Sequence, residues 1–243
     1  MPRLGGIGAA GGKPLDPSSA VWDRRSRRGG PFRALPVAIA ILFSVPASAQ
    51  SVQAEAPWLT VYDEAGRLKW ELRMEALARV GDGWEGQRVQ VQLYHDGAPT
   101  VILRAPRIRA DRYGREWALS TDDLAAEPIV GEGEGFSFTC REARWQGGLV
   151  LGGLTAEGRG VALSATEARW QLGEAVHLVD AEVTFAGWQL AFETGRYELG
   201  GDQLVADDVT ATGHGVTLGG TALMAWPHEG RIEVREAHLV RAP

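Results

Sequence analysis

Gly133-Glu134-Gly135-Phe136-Ser137-Phe138, Gly158-Arg159-Gly160-Val161-Ala162-Leu163, Ala186-Gly187-Trp188-Gln189-Leu190 and Gly213-His214-Gly215-Val216-Thr217-Leu218 are four versions of one phrase. Gly135, Gly160 and Gly187 are each followed ten residues later by an aromatic, namely Trp145, Trp170 and Tyr197. After Gly215 the aromatic, Trp226, comes at eleven. The anchoring glycines lie 25, 27 and 28 residues apart. A period of this size marks one small supersecondary unit stacked on copies of itself, not a catalytic domain built around a single pocket.

Each unit reads as two strands. The first runs from the glycine to the aromatic, and the second follows a turn such as Leu172-Gly173-Glu174 or Leu199-Gly200-Gly201. Within a unit the apolar alternation changes parity. Phe136, Phe138 and Cys140 share one parity while Ala143 and Trp145 have the other; Val161, Leu163 and Ala165 are likewise followed by Ala168 and Trp170. A one-residue slip flips every side chain to the other face, so a straight strand cannot bury both sets on one side. A bulge or corner in mid-strand restores inward pointing. The expected fold is therefore all-β: an open, folded antiparallel β-jellyroll of repeated two-strand units, with walls meeting at a hinge. The Gly-x-Gly pairs suit the rim, where the backbone bends or passes close to a neighbour.

The half before the repeat has the same character. Trp70, Leu72, Met74, Ala76, Ala78 and Val80 alternate and predict one strand, against the helix propensity of the segment. Val89-Val91-Leu93 and Val101-Leu103-Ala105 predict a hairpin closed by His95-Asp96-Gly97.

Composition sets the compartment and excludes several classes. Of 243 residues, 44% are hydrophobic, enough for a core. Residues 1–49 hold seven basic and two acidic residues, which leaves 18 and 29 for the rest, a formal net charge of −11. That acidic body argues against nucleic acid as a partner. Arg24, Arg25, Arg27, Arg28 and Arg33 precede the apolar stretch 34–45 and a small-residue cleavage site, Ala47-Ser48-Ala49. Residues 1–49 thus read as a signal peptide with a basic n-region, 50–56 as a linker and 57–243 as the β domain. The expected location is the periplasm, with retention at the inner membrane if the segment is not cleaved. The lone Cys140 can form no intramolecular disulfide and reads as a small core hydrophobe.

Chemistry-bearing motifs are scarce, so no catalytic residue, metal ligand or cofactor is assigned and the chain is read as a non-enzyme. His95, His177, His214, His228 and His238 lack metal-ligand spacing. Asp122-Asp123 and Asp207-Asp208 are expected to point to opposite faces, as strand neighbours do.

The repeat, Gly-x-Gly-apolar-x-apolar followed by an aromatic, resembles that of the OstA-like lipopolysaccharide export family. The first half is similar to its inner-membrane-anchored member: Asp63-Glu64-Ala65-Gly66, Leu68-Lys69-Trp70-Glu71-Leu72, and Val89-Gln90-Val91-Gln92-Leu93-Tyr94-His95-Asp96-Gly97. The likeness covers most of 58–240. It implies an open β-jellyroll that shields lipid chains. Its implied partners are lipopolysaccharide or another envelope lipid, similar jellyrolls docked by edge-strand augmentation, and an ABC-transporter complex. The anchored member keeps its N-terminal helix, whereas this chain carries a cleavage site.

A lipid crossing water exposes acyl chain at about 0.8 kcal/mol per CH₂, on the order of 10 kcal/mol for twelve carbons. A trough of apolar side chains removes most of that. The candidate lining is Phe136, Phe138, Val161, Leu163, Trp188, Leu190, Phe192, Val216 and Leu218. Trp145, Trp170, Tyr197 and Trp226 form a second group, read as an aromatic ladder between repeats or as headgroup anchors at the rim. The alternative is a secreted repeat-β interaction or glycan-binding module, with the same residues filling a closed core and no lipid cargo.

Overall fold

The computed structural model describes residues 53–55, 58–121 and 127–240. Residues 1–49, expected to be a signal peptide, and Asp122 and Asp123 lie outside these. The described residues form an 18-stranded antiparallel sheet and one 3₁₀ turn, Pro227–Glu229. The chain is all-β.

The first edge holds β1 (Gln53–Glu55) and β2 (Trp58–Tyr62). Next come β3 (Leu68–Arg73) with β4 (Ala76–Val80), then the long strands β5 (Gly83–His95) and β6 (Ala98–Ala110). β7 (Trp117–Ser120) and β8 (Ile129–Gly133) both pair with β6, on its two halves. β9 (Phe136–Cys140) and β10 (Glu142–Trp145) both pair with β11 (Leu149–Gly158). Continuous strands follow: β12 (Val161–Trp170), β13 (Val176–Phe185), β14 (Trp188–Glu198), β15 (Gln203–Gly213) and β16 (Val216–Trp226). The last edge is β17 (Arg231–Arg235) and β18 (His238–Leu239), both on β16. The short strands are thus halves of bent strands, and the sheet is one meander folded lengthwise.

The fold line has a regular cause. In each long strand two consecutive outward residues separate two buried sets: Ala105 from Ile108, Ala165 from Ala168, Leu178 from Ala181, Ala206 from Val209. The ladder skips a pair there; Gly152↔Glu167 and Leu154↔Ala165 are paired, while Gly153 and Thr166 between them are not. On alternate strands the kink is a left-handed residue: Arg88, Gly153, Asp180, Asp208 and, between β17 and β18, Glu236, with φ of 49°, 62°, 46°, 48° and 51°. Side chains replace the missing ladder bonds. Arg88 pairs with Glu75, the Thr166 hydroxyl donates to Val179 O at 2.9 Å, and Thr221 donates to Glu236 at 3.2 Å.

Two sequence expectations are corrected at this line. The alternation over 70–80 is not one strand: β3 stops at Arg73 and β4 starts at Ala76. Trp70, Leu72 and Met74 are buried, but beyond the kink Leu77, not Ala78, packs against the core. Asp207 and Asp208 do not face apart; both are exposed, because Asp208 is itself the left-handed residue. A third correction concerns the lead at 50–56, of which Gln53–Glu55 form β1 and pair with β4.

The Gly-x-Gly phrases are hairpin turns. Glu134-Gly135, Arg159-Gly160, Ala186-Gly187 and His214-Gly215 all have positive φ at both positions, the type I′ pattern that matches strand twist. The glycine before the turn serves differently: a Cβ on Gly158 would lie 2.2 Å from the Gly135 carbonyl oxygen. Neighbouring turns therefore stack backbone to backbone.

Candidate functional site

The fold line divides the sheet into two walls. All nine residues expected to line a trough lie on the wall nearest the type I′ turns, with inward register: Phe136 and Phe138 on β9, Val161 and Leu163 on β12, Trp188, Leu190 and Phe192 on β14, Val216 and Leu218 on β16. Phe136, Phe138, Val161, Leu163, Leu190 and Phe192 are buried in the core. Trp188 and Leu218 are half-buried, and Val216 is 40% exposed.

Trp145, Trp170 and Tyr197 stand on the opposite wall, each at the rim end of its strand and buried. They do not stack on one another, because an aliphatic on the intervening strand separates each from the next, as Leu149 separates Trp145 from Trp170. They meet other rings instead. Tyr197 meets Phe136 edge-on at 5.9 Å and Trp170 meets Phe138 at 6.2 Å, both across the interior; Trp145 stacks on Trp117 at 6.2 Å. Trp226 leaves the series. Its eleven-residue spacing puts it one position beyond the buried Ala225, half-buried, with the Arg231 guanidinium 3.8 Å from its ring centroid.

The rims of the two walls meet along a seam. Arg159, at a turn of the first wall, donates through Nη1 to the Leu199 carbonyl of the second at 2.7 Å. Its Nη2 lies 3.8 Å from Glu134, and its guanidinium sits 5.8 Å from the Phe136 ring. Farther along, a Cβ on Gly173 would fall 2.1 Å from His95 Nε2, and one on Gly230 would lie 3.1 Å from Ala186 Cβ. Beneath the Arg159 contact is a cavity of about 40 Å³, lined by residues of both walls including Phe136, Phe138, Leu163, Trp170, Tyr197 and Leu199.

A polar clasp holds the second rim. The Tyr197 hydroxyl donates to Asp202 Oδ1, while Asp202 Oδ2 accepts from the His228 backbone N–H at 2.9 Å and lies 2.8 Å from His228 Nδ1. Burial pushes the Asp202 carboxyl up, but the Tyr197 and His228 hydrogen bonds outweigh it and hold the group below the ordinary carboxylate value. Burial, reinforced by the bond to Asp202, raises the Tyr197 phenol. Burial pushes the Cys140 thiol up to about 12. Among the described residues no group of three or more His, Cys, Asp or Glu could hold a metal ion. His214 makes an edge contact with Trp188 at 5.0 Å between ring centroids.

Of the facing wall the sequence motifs caught the aromatics and missed the aliphatics between them. Leu149, Leu151, Val176, Leu178 and Leu204 are buried there, and the available signal was their parity opposite to Leu154, Val183 and Val209. The seam residues Arg159, Asp202 and His228 gave no sequence signal, since nothing local tells which turn meets which rim. Both ends of the tube show apolar side chains: Leu59 and Tyr62 at the first edge, 37% and 60% exposed, and Val216 and Leu239 at the last, 40% and 75% exposed. No protein-family model and no curated protein matches the chain.

Proposed function

We propose that this chain is a carrier for an acyl lipid of the cell envelope, a folded jellyroll of the kind its resemblance to the OstA-like family implies. One observation carries the reading: two continuous apolar walls face each other, joined covalently, among the described residues, only along the fold line. Their rims meet through separate contacts, not through a ladder of backbone pairs. Parting the rims exposes a trough without breaking the sheet. The apolar ends, and the outer edges of β2 and β18, which pair with no strand other than β3 and β16 among the described residues, suit end-to-end docking of a similar β domain by strand addition. The proposed location is the periplasm, reached through the segment at 1–49.

The small cavity favours the other reading, a filled core with no cargo. The test separates them. Delipidated protein is mixed with labelled phospholipid or lipid A, and transfer is followed in wild type and Leu163→Asp. A carrier takes up about one lipid per chain and the variant does not. A wild type that takes up none, yet shows tryptophan quenching by oligosaccharides, is a glycan module.

A further inference from the structure

The loop that joins β6 to β7 reads Asp111-Arg112-Tyr113-Gly114-Arg115-Glu116 and closes a run, 104–115, in which five arginines stand with one acid. Residues 50–243 as a whole carry a formal net charge of −11, so this run is a local reversal of sign. Arg104 and Arg109 pair with Glu132 and Glu85. Arg112 and Arg115 make no ion pair among the described residues. Their guanidinium carbons lie by the Tyr113 ring instead, 5.7 and 5.6 Å from its centroid. That ring is 69% exposed.

The loop is held in this shape. Asp111 N–H donates to the Glu116 carbonyl at 3.1 Å, and Asp111 Oδ1 accepts from the Glu116 N–H at 3.2 Å. Gly114, buried and left-handed at φ 66°, seats the loop on the first wall: a Cβ there would lie 3.2 Å from the Trp70 ring and 3.6 Å from Leu59. A phenol ring and two guanidiniums are thus held out into water at the first end of the tube. Exposed Leu59 lies beside them, and exposed Val80 shares an open concavity with Tyr113.

This set of groups suits a layer that is apolar below and anionic above. Tyrosine favours the level where acyl chains meet headgroups, and arginine grips phosphate through its planar fork. An acidic protein surface would meet the two arginines but leave the ring, Leu59 and Val80 without an apolar floor. We propose that loop 111–116 docks the first end of the tube on an anionic phospholipid surface, with Tyr113 at headgroup level and Arg112 and Arg115 on lipid phosphates. The same surface repels the acidic remainder of the domain, so the contact is end-on. The inference rests on the carrier reading and adds the place where the carrier meets a membrane.

Ala49–Pro243 form one compact unit. The test uses that span, free of the arginines at 24–33, which would bind vesicles themselves. Cosedimentation is measured with vesicles of phosphatidylcholine and of an equal mixture with phosphatidylglycerol. The expected result is a preference for the mixed vesicles that weakens with added salt. Arg112→Gln/Arg115→Gln should weaken that binding about thirtyfold, the effect of two arginines near an anionic surface. Arg169→Gln/Arg196→Gln, the same change of charge at exposed positions on β12 and β14, should bind as wild type does. Tyr113→Ser should bind less tightly with an unchanged salt dependence, because the ring acts by burial. Equal losses in the two double variants, an unaffected Tyr113→Ser, or a wild type with no preference for the mixed vesicles overturns the dock and leaves an acidic protein as the partner for the loop. Docking by protein that takes up no labelled lipid keeps the dock and overturns the carrier reading; uptake without docking does the reverse.

Discussion

If the rims are a seam, a covalent bond across them should lock the tube. Ala186 and Gly230 offer the place, since a Cβ on Gly230 would lie 3.1 Å from Ala186 Cβ. Disulfides favour Cβ separations near 3.8 Å, so the rims need part by only about 0.7 Å in Ala186→Cys/Gly230→Cys. The bond would close a loop of about 45 residues, for which chain entropy gives roughly 4 kcal/mol. Gly230 sits at φ 63°, and a side chain in that region costs about 1–2 kcal/mol. The net gain over wild type is then about 2–3 kcal/mol, while reduced and oxidised forms of the variant share the side-chain cost and differ by the full ~4 kcal/mol, a rise of roughly 8–16 °C in Tm on oxidation. The functional readout is lipid transfer from labelled vesicles by the same sample in both redox states, Cys140 being buried and inert. Transfer should fall at least tenfold on oxidation and return on reduction. Failure of the bond to form under oxidant would refute the adjacency of the rims. A locked tube that loads at the reduced rate would refute admission through the seam and leave the open ends as the only way in.

Four further outcomes follow from single groups. Leu190 is fully buried on the first wall, and Leu190→Ala should lose about 2–5 kcal/mol in urea unfolding, with an unchanged m-value. Asp208→Val should be less stable than Asp208→Gly by about 1–2 kcal/mol, because the position is left-handed; equal stabilities would contradict the kink. Since the Asp202 carboxyl is held below its unfolded value, its contribution is complete above about pH 4 and is lost as pH falls through the folded value. Asp202→Asn should lower stability near pH 7 and flatten the acid limb, so that variant and wild type converge as pH falls. Cys140, with its thiol at about 12, should resist iodoacetamide at pH 8 in the native state and react only after unfolding.

The fold was legible where the backbone leaves a periodic trace. Parity changes such as Ala165 to Ala168 recorded the crease, and the Gly-x-Gly phrases marked the rim, though as strand entries and not as the I′ turns they form. The crease was illegible where its residue gave no break in the pattern. In 70–80 the alternation of small and apolar residues runs through Glu75 unchanged, and only the pairing on β5 shows that Leu77 takes the inner face. Of the candidate site, one wall was read directly because its aromatics and aliphatics follow the Gly-x-Gly phrase. The seam was not, because contacts such as Arg159 with Leu199, forty residues apart, depend on how tightly the crease closes. That angle is set by twist summed over many strands, not by any local motif.

From β11 onward the left-handed residues at the crease occur on every second strand. A sheet built this way cannot gain or lose one strand: the next kink would fall on the wrong partner, and the turn would emerge on the wrong rim. It can gain or lose a hairpin. Length along the tube is therefore quantised in steps of 25 to 28 residues, the spacing of the turn glycines, and each step leaves the cross-section unchanged. A chain of this design can be tailored to the distance it must span while the cargo it accommodates stays the same.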